Sequence, residues 1–288
     1  MSLRAEMWAA FAAIVLLSSV IDLGRHHRRR TDPVSWTEAL SWTLFWIALS
    51  LIFNAVVYVG MGAQKATEFF TAYLIEKSLS VDNLFVFLLV FDYFKIPALD
   101  QPKVLKYGIL GAILMRFALI FAGVKLVSRF HWVFYVFGAV LIVTAIQMMR
   151  DEEKVMKPEA NWALCILKRF VPAVTPFLAA LVVIEASDLV FAVDSIPAVL
   201  AISRDPFIVF TSNIFAILGL RSLYFVLHNV MGLFRYLKYG LGVILIFIGV
   251  KMLLMDVVTI ATRFSLLVVV LCLAVAIVCS LAIHPRHE

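Results

Sequence analysis

Long runs of apolar residues, separated by short polar segments, fill most of this chain. Nine of these runs are long enough to cross a bilayer as helices. The composition agrees, because 64% of the residues are hydrophobic and 15% are charged, against about 45–50% and about 25% in soluble domains. The pattern predicts an all-α polytopic membrane protein with about nine transmembrane helices, at 5–23, 38–60, 67–91, 105–127, 131–149, 174–201, 207–228, 236–255 and 264–283.

The same pattern divides the chain into five parts. We expect two N-terminal accessory helices (1–65), a first three-helix repeat (66–150), a cytoplasmic loop (151–173), a second three-helix repeat (174–256) and a C-terminal helix with a short tail (257–288). Within the loop, Trp162, Ile166 and Phe170 recur at helical spacing beside Lys168 and Arg169. That spacing predicts a short helix lying on the membrane surface.

Positive charge predicts the orientation in the membrane, because cytoplasmic loops are rich in Lys and Arg. With the N-terminus outside and the C-terminus in the cytoplasm, fifteen of the 25 Lys and Arg residues lie in cytoplasmic segments and six in external ones. The first apolar run lacks a basic leading segment and a small-residue cleavage site, so we expect it to remain as a helix. These features favour a multi-pass protein of the inner (plasma) membrane and contain no nucleic-acid motif.

Two stretches of the chain carry similar polar residues in the same order. Glu76, Asp82 and Asn83 correspond to Asp188, Asp194 and Ser195, and Arg116 corresponds to Arg221. Further on, Tyr135, Gly138 and Gln147 correspond to Tyr239, Gly242 and Lys251. Because each unit has three spans, the second copy would be inserted upside down relative to the first. We therefore expect an inverted repeat of spans 3–5 and 6–8, with a site near the midplane.

Five carboxylates interrupt the third and sixth spans, namely Glu76, Asp82, Glu185, Asp188 and Asp194. A charged residue at the centre of a membrane helix costs about 2.5–3.5 kcal/mol, so these acids must be protonated, paired, or facing water or an ion. The spans also contain four cations that could pair with them: Lys77, Arg116, Arg221 and Lys251. Buried ion pairs that only hold helices together are therefore a structural alternative to a binding site.

Helical geometry constrains which of these acids can meet. Glu76 shares a face with Asn83, and Asp188 shares one with Ser195 and Glu185. Asp82 and Asp194 stand about 120° away in a regular helix, so they join only if the helix is irregular or a neighbouring helix wraps round. Pro197 removes a backbone hydrogen bond, and a break there would free carbonyl oxygens beside the acids.

The expected ligand set is carboxylate, amide and hydroxyl oxygen, with Asn213 of the seventh span as either a further ligand or an interhelical hydrogen-bonding residue. These spans contain neither His nor Cys, and the three cysteines (Cys165, Cys272 and Cys279) are widely spaced. Oxygen ligands suit Mg²⁺, Ca²⁺ or Mn²⁺ and disfavour zinc and copper. Carboxylates in a low dielectric can also exchange a proton for a metal, which allows H⁺-coupled exchange as a hypothesis.

Several stretches resemble the signature sequences of the TerC family of integral membrane proteins. They are IEKSLSVDNLFVF, IEASDLVFAVDSIPA, DPFIVFTSNIFAILGLRSLYF and LKYGLGVILIFIGVKML, and the resemblance covers about residues 36–256. The family was named for tellurium resistance, and its members are implicated in Mn²⁺ export. The resemblance implies that the five acids carry the function, with Asn83, Ser195 and Asn213 as polar companions.

The resulting prediction is a non-enzymatic transporter that exports a divalent cation, Mn²⁺ by resemblance, for metal homeostasis, with no permanently bound cofactor. Its partners would be the lipid bilayer, the cation and, under the exchange hypothesis, H⁺. The alternative is a membrane scaffold of a stress-response or secretion complex, with the acids as ion pairs. An intramembrane aspartyl hydrolase is disfavoured because its YD and GxGD motifs are missing.

Overall fold

The computed structural model describes residues 3–28, 35–150, 161–170, 174–228 and 236–282, apart from some side chains that include that of Asp82. Every regular element within these ranges is an α-helix. The helices are α1 (Leu3–Arg28), α2 (Trp36–Met61), α3 (Ala63–Tyr93), α4 (Gln101–Arg129), α5 (Val133–Arg150), α6 (Trp162–Phe170), α7 (Pro176–Leu200), α8 (Pro206–Leu218), α9 (Leu220–His228), α10 (Leu237–Leu253) and α11 (Thr262–Ala282).

The all-helical fold is confirmed, and each predicted span coincides with a helix or a helix pair. Of the described helices, α2, α4, α5, α7 and α11 are long and apolar enough to cross a membrane, and α8 with α9 forms a sixth candidate bent by 42°. The helix α3 is rich in charged residues along its length, and α10 has only 17 residues. Nine spans therefore remain a prediction.

Capping residues explain where several helices begin. The side chains of Ser35, Thr175 and Asp205 accept hydrogen bonds from backbone N–H groups in the first turns of α2, α7 and α8, which satisfies donors that the helix itself leaves free. The turn from α2 into α3 is made at Gly62, whose φ of +88° is readily adopted only by glycine. These turns let consecutive long helices fold back on one another.

The second helix shows how the chain divides between protein core and lipid. Phe53 and Val57 are buried on one face, whereas Ile52, Val56 and Val59 are exposed on the other, Val59 to 86%. A row of large apolar side chains exposed in this way would be unfavourable in water. It is what a helix at the edge of a membrane bundle presents to lipid.

Helices α3, α4 and α7 pack together in the centre of the bundle. Gly108 of α4 lies against Ile184 and Gly123 lies against Leu200, so α4 and α7 run parallel. Asn83 of α3 hydrogen-bonds to Asp188, while Leu79, earlier in α3, shares a cavity wall with Asp194 and Ser195, later in α7. The helices α3 and α7 therefore run antiparallel. These directions are the ones expected if each predicted span crosses the membrane in the direction opposite to the span before it.

Glycines bring α5 and α10 into close antiparallel contact. A Cβ atom on Gly138 would lie 2.8 Å from the Gly249 carbonyl oxygen and 3.2 Å from the Leu253 side chain. Near the other end of α5, a Cβ atom on Gly242 would lie 2.6 Å from Met149 Cγ. Neither position has room for a larger residue, so the two helices are fixed at backbone distance.

Two local predictions from the sequence have opposite outcomes: the helix in the loop is present, and the break at Pro197 is not. The helix predicted in the loop is present as α6, with Trp162 and Ile166 exposed and Leu164 buried, and its position on the membrane surface stays a prediction. The preceding residues 151–160 lie outside the described part of the chain. A break at Pro197 was wrong, because α7 continues through it to Leu200. The bent span is α8–α9, where the chain turns at Gly219.

Candidate functional site

A single arginine joins carboxylates from two different helices at the centre of the bundle. Arg116 has no solvent exposure. Its Nη2 and Nε atoms donate to the two carboxylate oxygens of Asp188 at 2.8 and 3.1 Å, and its Nη1 atom donates to Glu76 Oε1. Arg116, Asp188 and Glu76 each lie near the middle of a long helix. The arrangement therefore places an ion-paired carboxylate pair deep in the predicted membrane interior.

Two asparagines extend this network. Asn83 Nδ2 donates to Asp188 Oδ1 at 3.3 Å, and Asn213 Oδ1 accepts from Arg116 Nη1 at 3.4 Å. Asn213 belongs to α8, so four helices contribute polar groups to one cluster. The predicted companions Asn83 and Asn213 thus lie beside the predicted acids Glu76 and Asp188.

A cavity of about 240 Å³ opens beside Arg116. It brings together α3, α5, α7 and α10 with the side chain of α4 Arg116. Its polar walls are Glu76, Asn83, Arg116, Thr144, Gln147, Asp194 and Ser195, and its apolar walls are Leu79, Met148, Val190, Phe191 and Leu245. Glu76 and Asp194 line the cavity and Asp188 binds Arg116 beside it. If these three carboxylates are ionised, they outnumber the one guanidinium, so the cavity is electrostatically suited to a cation.

Asp194 reaches this cavity from a regular helix because α5 supplies the opposite wall. Its Oδ1 atom accepts a hydrogen bond of 2.9 Å from Thr144 Oγ1. Wrapping by a neighbouring helix was one of the two conditions that the helical spacing set for this residue. The other residue under that condition, Asp82, lies on α3, and its side chain is outside the described residues.

Three buried polar atoms at this site have no hydrogen-bond partner among the described residues. They are Glu76 Oε2, Ser195 Oγ and Asn213 Nδ2. A buried polar group without a partner costs about 1–3 kcal/mol, so such groups are rare in a purely structural core. The two oxygens can coordinate a cation, and the Asn213 amide can donate to a further acceptor.

Glu185 lies apart from the cavity although it is on the same helix as Asp188. It packs against α4, where a Cβ atom on Gly111 would lie only 2.1 Å from its Oε1 atom. The carboxylate is half-buried and is not among the cavity walls. The structure therefore brings Glu76, Asp188 and Asp194 together. It places the Glu185 carboxylate outside the cavity, against α4 at Gly111.

The four cations have different surroundings. Arg116 pairs with acids, whereas Lys77 donates to the Ala216 carbonyl oxygen at 3.1 Å, in the last turn of α8 just before the bend. Lys251 donates to Ser265 Oγ of α11 at 2.9 Å. Arg221 lies in α9 and is half-buried. Of the predicted charge partners, Arg116 is thus the one that the described contacts show within the acid cluster.

Sequence reasoning did not assign Thr144 or Gln147 to the site, although Gln147 was identified as a repeat position. They are polar residues three apart in an otherwise apolar stretch of α5, so they share one helical face, and that spacing could have drawn attention to them. Within the described part of the chain, no group of three or more His, Cys, Asp or Glu residues is arranged to hold a metal. A cation here would therefore need amide and hydroxyl oxygens beside the carboxylates.

Comparison with known proteins now identifies the family. The sequence profile of the integral membrane protein TerC family matches residues 61–288. This chain belongs to the TerC family. The TerC match includes every residue of the central cluster and of the cavity.

Full-length relatives agree with that assignment. The chain is 44% identical to an "Uncharacterized membrane protein STKORF319" of Myxococcus xanthus, over 98% of this chain and 93% of the relative. It is 42% identical to the "Putative membrane-bound redox modulator Alx" of Escherichia coli (strain K12), over 98% and 96%. An "Uncharacterized membrane protein" of Rickettsia bellii is 37% identical, over 95% and 96%. No solved structure matches this chain.

Proposed function

We propose that this TerC protein transports a divalent metal cation across the inner membrane, with Mn²⁺ as the leading substrate and export as the direction. The observation that carries the proposal is the cavity beside Arg116, which two carboxylates, Glu76 and Asp194, line near the middle of the bundle, while Asp188 binds Arg116 directly. Hard divalent cations are bound by carboxylate, amide and hydroxyl oxygens, and Asp194, Gln147 and Thr144 supply one of each. The protein needs no enzymatic activity and no resident cofactor for this role.

The packing of α5 against α10 supports the inverted-repeat part of the proposal. The sequence pairs Gly138 with Gly242, and the same displacement pairs Ala145 with Gly249 and Met149 with Leu253. Gly138 approaches Gly249 and Leu253, and Gly242 approaches Ala145 and Met149. Each contact therefore has a counterpart under a two-fold exchange of the repeats. Transporters built this way bind substrate where the repeats meet.

Coupling to protons belongs to the same proposal. Carboxylates in the bilayer interior favour the neutral form unless a cation compensates them. Cation release would then be accompanied by proton uptake at the acids that Arg116 does not satisfy. Asp194, which accepts only one described hydrogen bond, is the first candidate.

The scaffold alternative also has a specific observation in its favour. Arg116 pairs with Glu76 and Asp188 as a structural ion pair would. The scaffold alternative does not account for the open cavity, for Asp194 outside that pair, or for the Ser195 and Asn213 atoms that have no partner among the described residues. Transport explains those features, so we place it first.

The test is cellular manganese content, measured by mass spectrometry in a manganese-sensitive strain. Wild type is expected to lower manganese relative to empty vector, and Asp194→Asn and Asp82→Asn are expected to lose that effect. Asp92→Asn removes an exposed carboxylate at the end of α3 and is the matched control, with membrane levels checked by immunoblot.

The outcomes separate function from site. If wild type leaves manganese unchanged, the exporter proposal fails. If Asp194→Asn exports as well as wild type, the site is wrong while the function stands. Repeating the measurement with Mg²⁺ and Ca²⁺ loading tests selectivity.

A further inference from the structure

Arg116 occupies the point at which carboxylates from α3 and α7 converge. Its guanidinium binds Asp188 through two nitrogens and Glu76 through a third. This is the position that a cation bridging the two helices would take. Without a positive charge here, two carboxylates would face each other in a low dielectric, where like charges repel strongly.

The surroundings of the guanidinium are not those of a completed structural ion pair. A buried ion pair is favourable only when the remaining lone pairs and protons are also satisfied. Glu76 Oε2, Ser195 Oγ and Asn213 Nδ2 are buried without partners among the described residues, and Glu76, Ser195 and Asn213 are each at most 3% exposed. The cluster therefore has two oxygen atoms, Glu76 Oε2 and Ser195 Oγ, that could coordinate a cation in addition to the atoms that Arg116 binds.

Arg116 also has space to move. Its side chain lines the cavity, which lies on the side of α3, α5 and α7 where Asp194 and Thr144 meet. A long arginine side chain can change rotamer into such a space without moving its helix.

We propose that Arg116 is a tethered cation that compensates the Glu76–Asp188 pair between transport events and is displaced by the divalent cation. The inference rests on the proposed transport function and names the residue with which the substrate competes. In the resting protein the guanidinium keeps the two carboxylates paired. When a divalent cation enters beside Asp194, its two charges replace the one charge of Arg116 at the pair.

Thermal unfolding of the purified full-length protein tests the replacement directly. Arg116→Gln is expected to unfold at a lower temperature than wild type in chelated buffer. Addition of MnCl₂ is expected to raise its Tm by at least about 5 °C, and more than it raises that of wild type, because Mn²⁺ then binds two uncompensated carboxylates. Arg116→Lys keeps the charge, so Mn²⁺ is expected to raise its Tm no more than that of wild type.

Two controls separate binding from general effects. KCl at matched ionic strength should not reproduce the shift, and Arg129→Gln, an exposed arginine at the end of the same helix, should respond as wild type does. Equal stabilisation of Arg116→Gln and wild type by MnCl₂, or stabilisation of Arg116→Gln by KCl, overturns the proposal.

If Arg116→Gln does not fold without metal, the proposal can still be tested. The protein would then be prepared with MnCl₂ throughout, and EDTA is expected to unfold it. Aggregation under both conditions contradicts the proposal, because Mn²⁺ would then not substitute for the arginine. Since this readout measures binding alone, the Mn²⁺-dependent shift can hold even if wild type proves not to export manganese.

Discussion

Two clusters in this protein each bury acids of α3 and of the second half of the chain beside a basic residue, and they differ in their hydrogen bonding. The central cluster consists of Glu76, Asp188 and Arg116. The second, which we call the helix-end cluster, consists of Lys65 and Glu68 at the start of α3 and Ser203 and Asp205 between α7 and α8. Both clusters link α3 to the second half of the chain.

The two clusters differ in how completely their carboxylate oxygens are hydrogen-bonded. In the helix-end cluster, Glu68 Oε2 accepts from Lys65 Nζ at 2.7 Å and from Ser203 Oγ at 2.6 Å, and Oε1 accepts from Gln64 at 3.3 Å. Asp205 caps α8 and bonds to Arg4. Both carboxylate oxygens of Glu68 are therefore satisfied, whereas one oxygen of Glu76 has no partner in the described part of the chain, and Glu76 lines a cavity. Burial of an acid alone does not mark a site, but burial with unused coordinating atoms beside a cavity does.

The largest expected effect comes from neutralising one glutamate in each cluster. Glu76→Gln should reduce manganese export at least about tenfold, which corresponds to a loss of roughly 1.4 kcal/mol or more. Glu68→Gln should leave export within about twofold and lower Tm by roughly 3–10 °C, because it weakens hydrogen bonds to a charged group. Manganese export from cells and the Tm of the purified protein are measured for both variants. Loss of export in Glu68→Gln at normal membrane levels would erase the distinction between the clusters.

A smaller effect tests whether Glu185 works with the central cluster. Gly111→Ala would place a methyl group on the Glu185 carboxylate and displace it without changing its chemistry. We expect export to fall by about 3- to 10-fold, equivalent to about 0.7–1.4 kcal/mol, with α4 itself intact because alanine favours helix.

Gly123→Ala is the matched control for the Gly111→Ala substitution that displaces Glu185. It is on the same helix and faces the same partner helix, but its Cβ would meet only the flexible Leu200 and Ile196 side chains, at 3.2 and 3.4 Å. Equal export by Gly111→Ala and Gly123→Ala would remove Glu185 from the transport path.

The smallest expected effect concerns one hydroxyl in each region. Thr144→Val removes the hydrogen bond to Asp194, and Ser203→Ala removes the hydrogen bond to Glu68. Such a bond contributes about 0.5–1.5 kcal/mol, so Thr144→Val should change the KM for Mn²⁺ by about 2- to 10-fold. Ser203→Ala should lower Tm by a few degrees at unchanged KM. Transport into proteoliposomes gives both KM values, and a KM change in Ser203→Ala alone would reverse the assignment.

The sequence predicted more of the fold than of the site. Apolar runs gave the positions of all the long helices, because the bilayer requires about 20 apolar residues for each crossing. The same reasoning counted five acids within the spans and passed over Glu68, although its predicted span began at residue 67. Glu68 lies near a helix end and its satisfaction by Lys65 and Ser203 depends on contacts between distant segments.

Local spacing also explains why Pro197 and Asp194 were harder to place. Pro197 suggests a broken helix, but α7 continues through it to Leu200, and the bend occurs at Gly219 instead. Asp194 appeared to be on the wrong face for the site. Its place in the cavity depends on α5 packing alongside α7, and single-helix geometry cannot supply that information.

By itself, the sequence determined the membrane-embedded helical architecture, the TerC resemblance and the set of acids that required compensation, because hydropathy and the cost of buried charge are properties of local sequence. Only the tertiary structure decided which cation compensates which acid. It shows that Arg116 pairs with Glu76 and Asp188 and that Lys77 hydrogen-bonds to the end of α8. It also shows that Glu185 lies outside the cavity and that Thr144 and Gln147 line it. Pairing depends on distances between helices far apart in the chain, and those distances follow from packing.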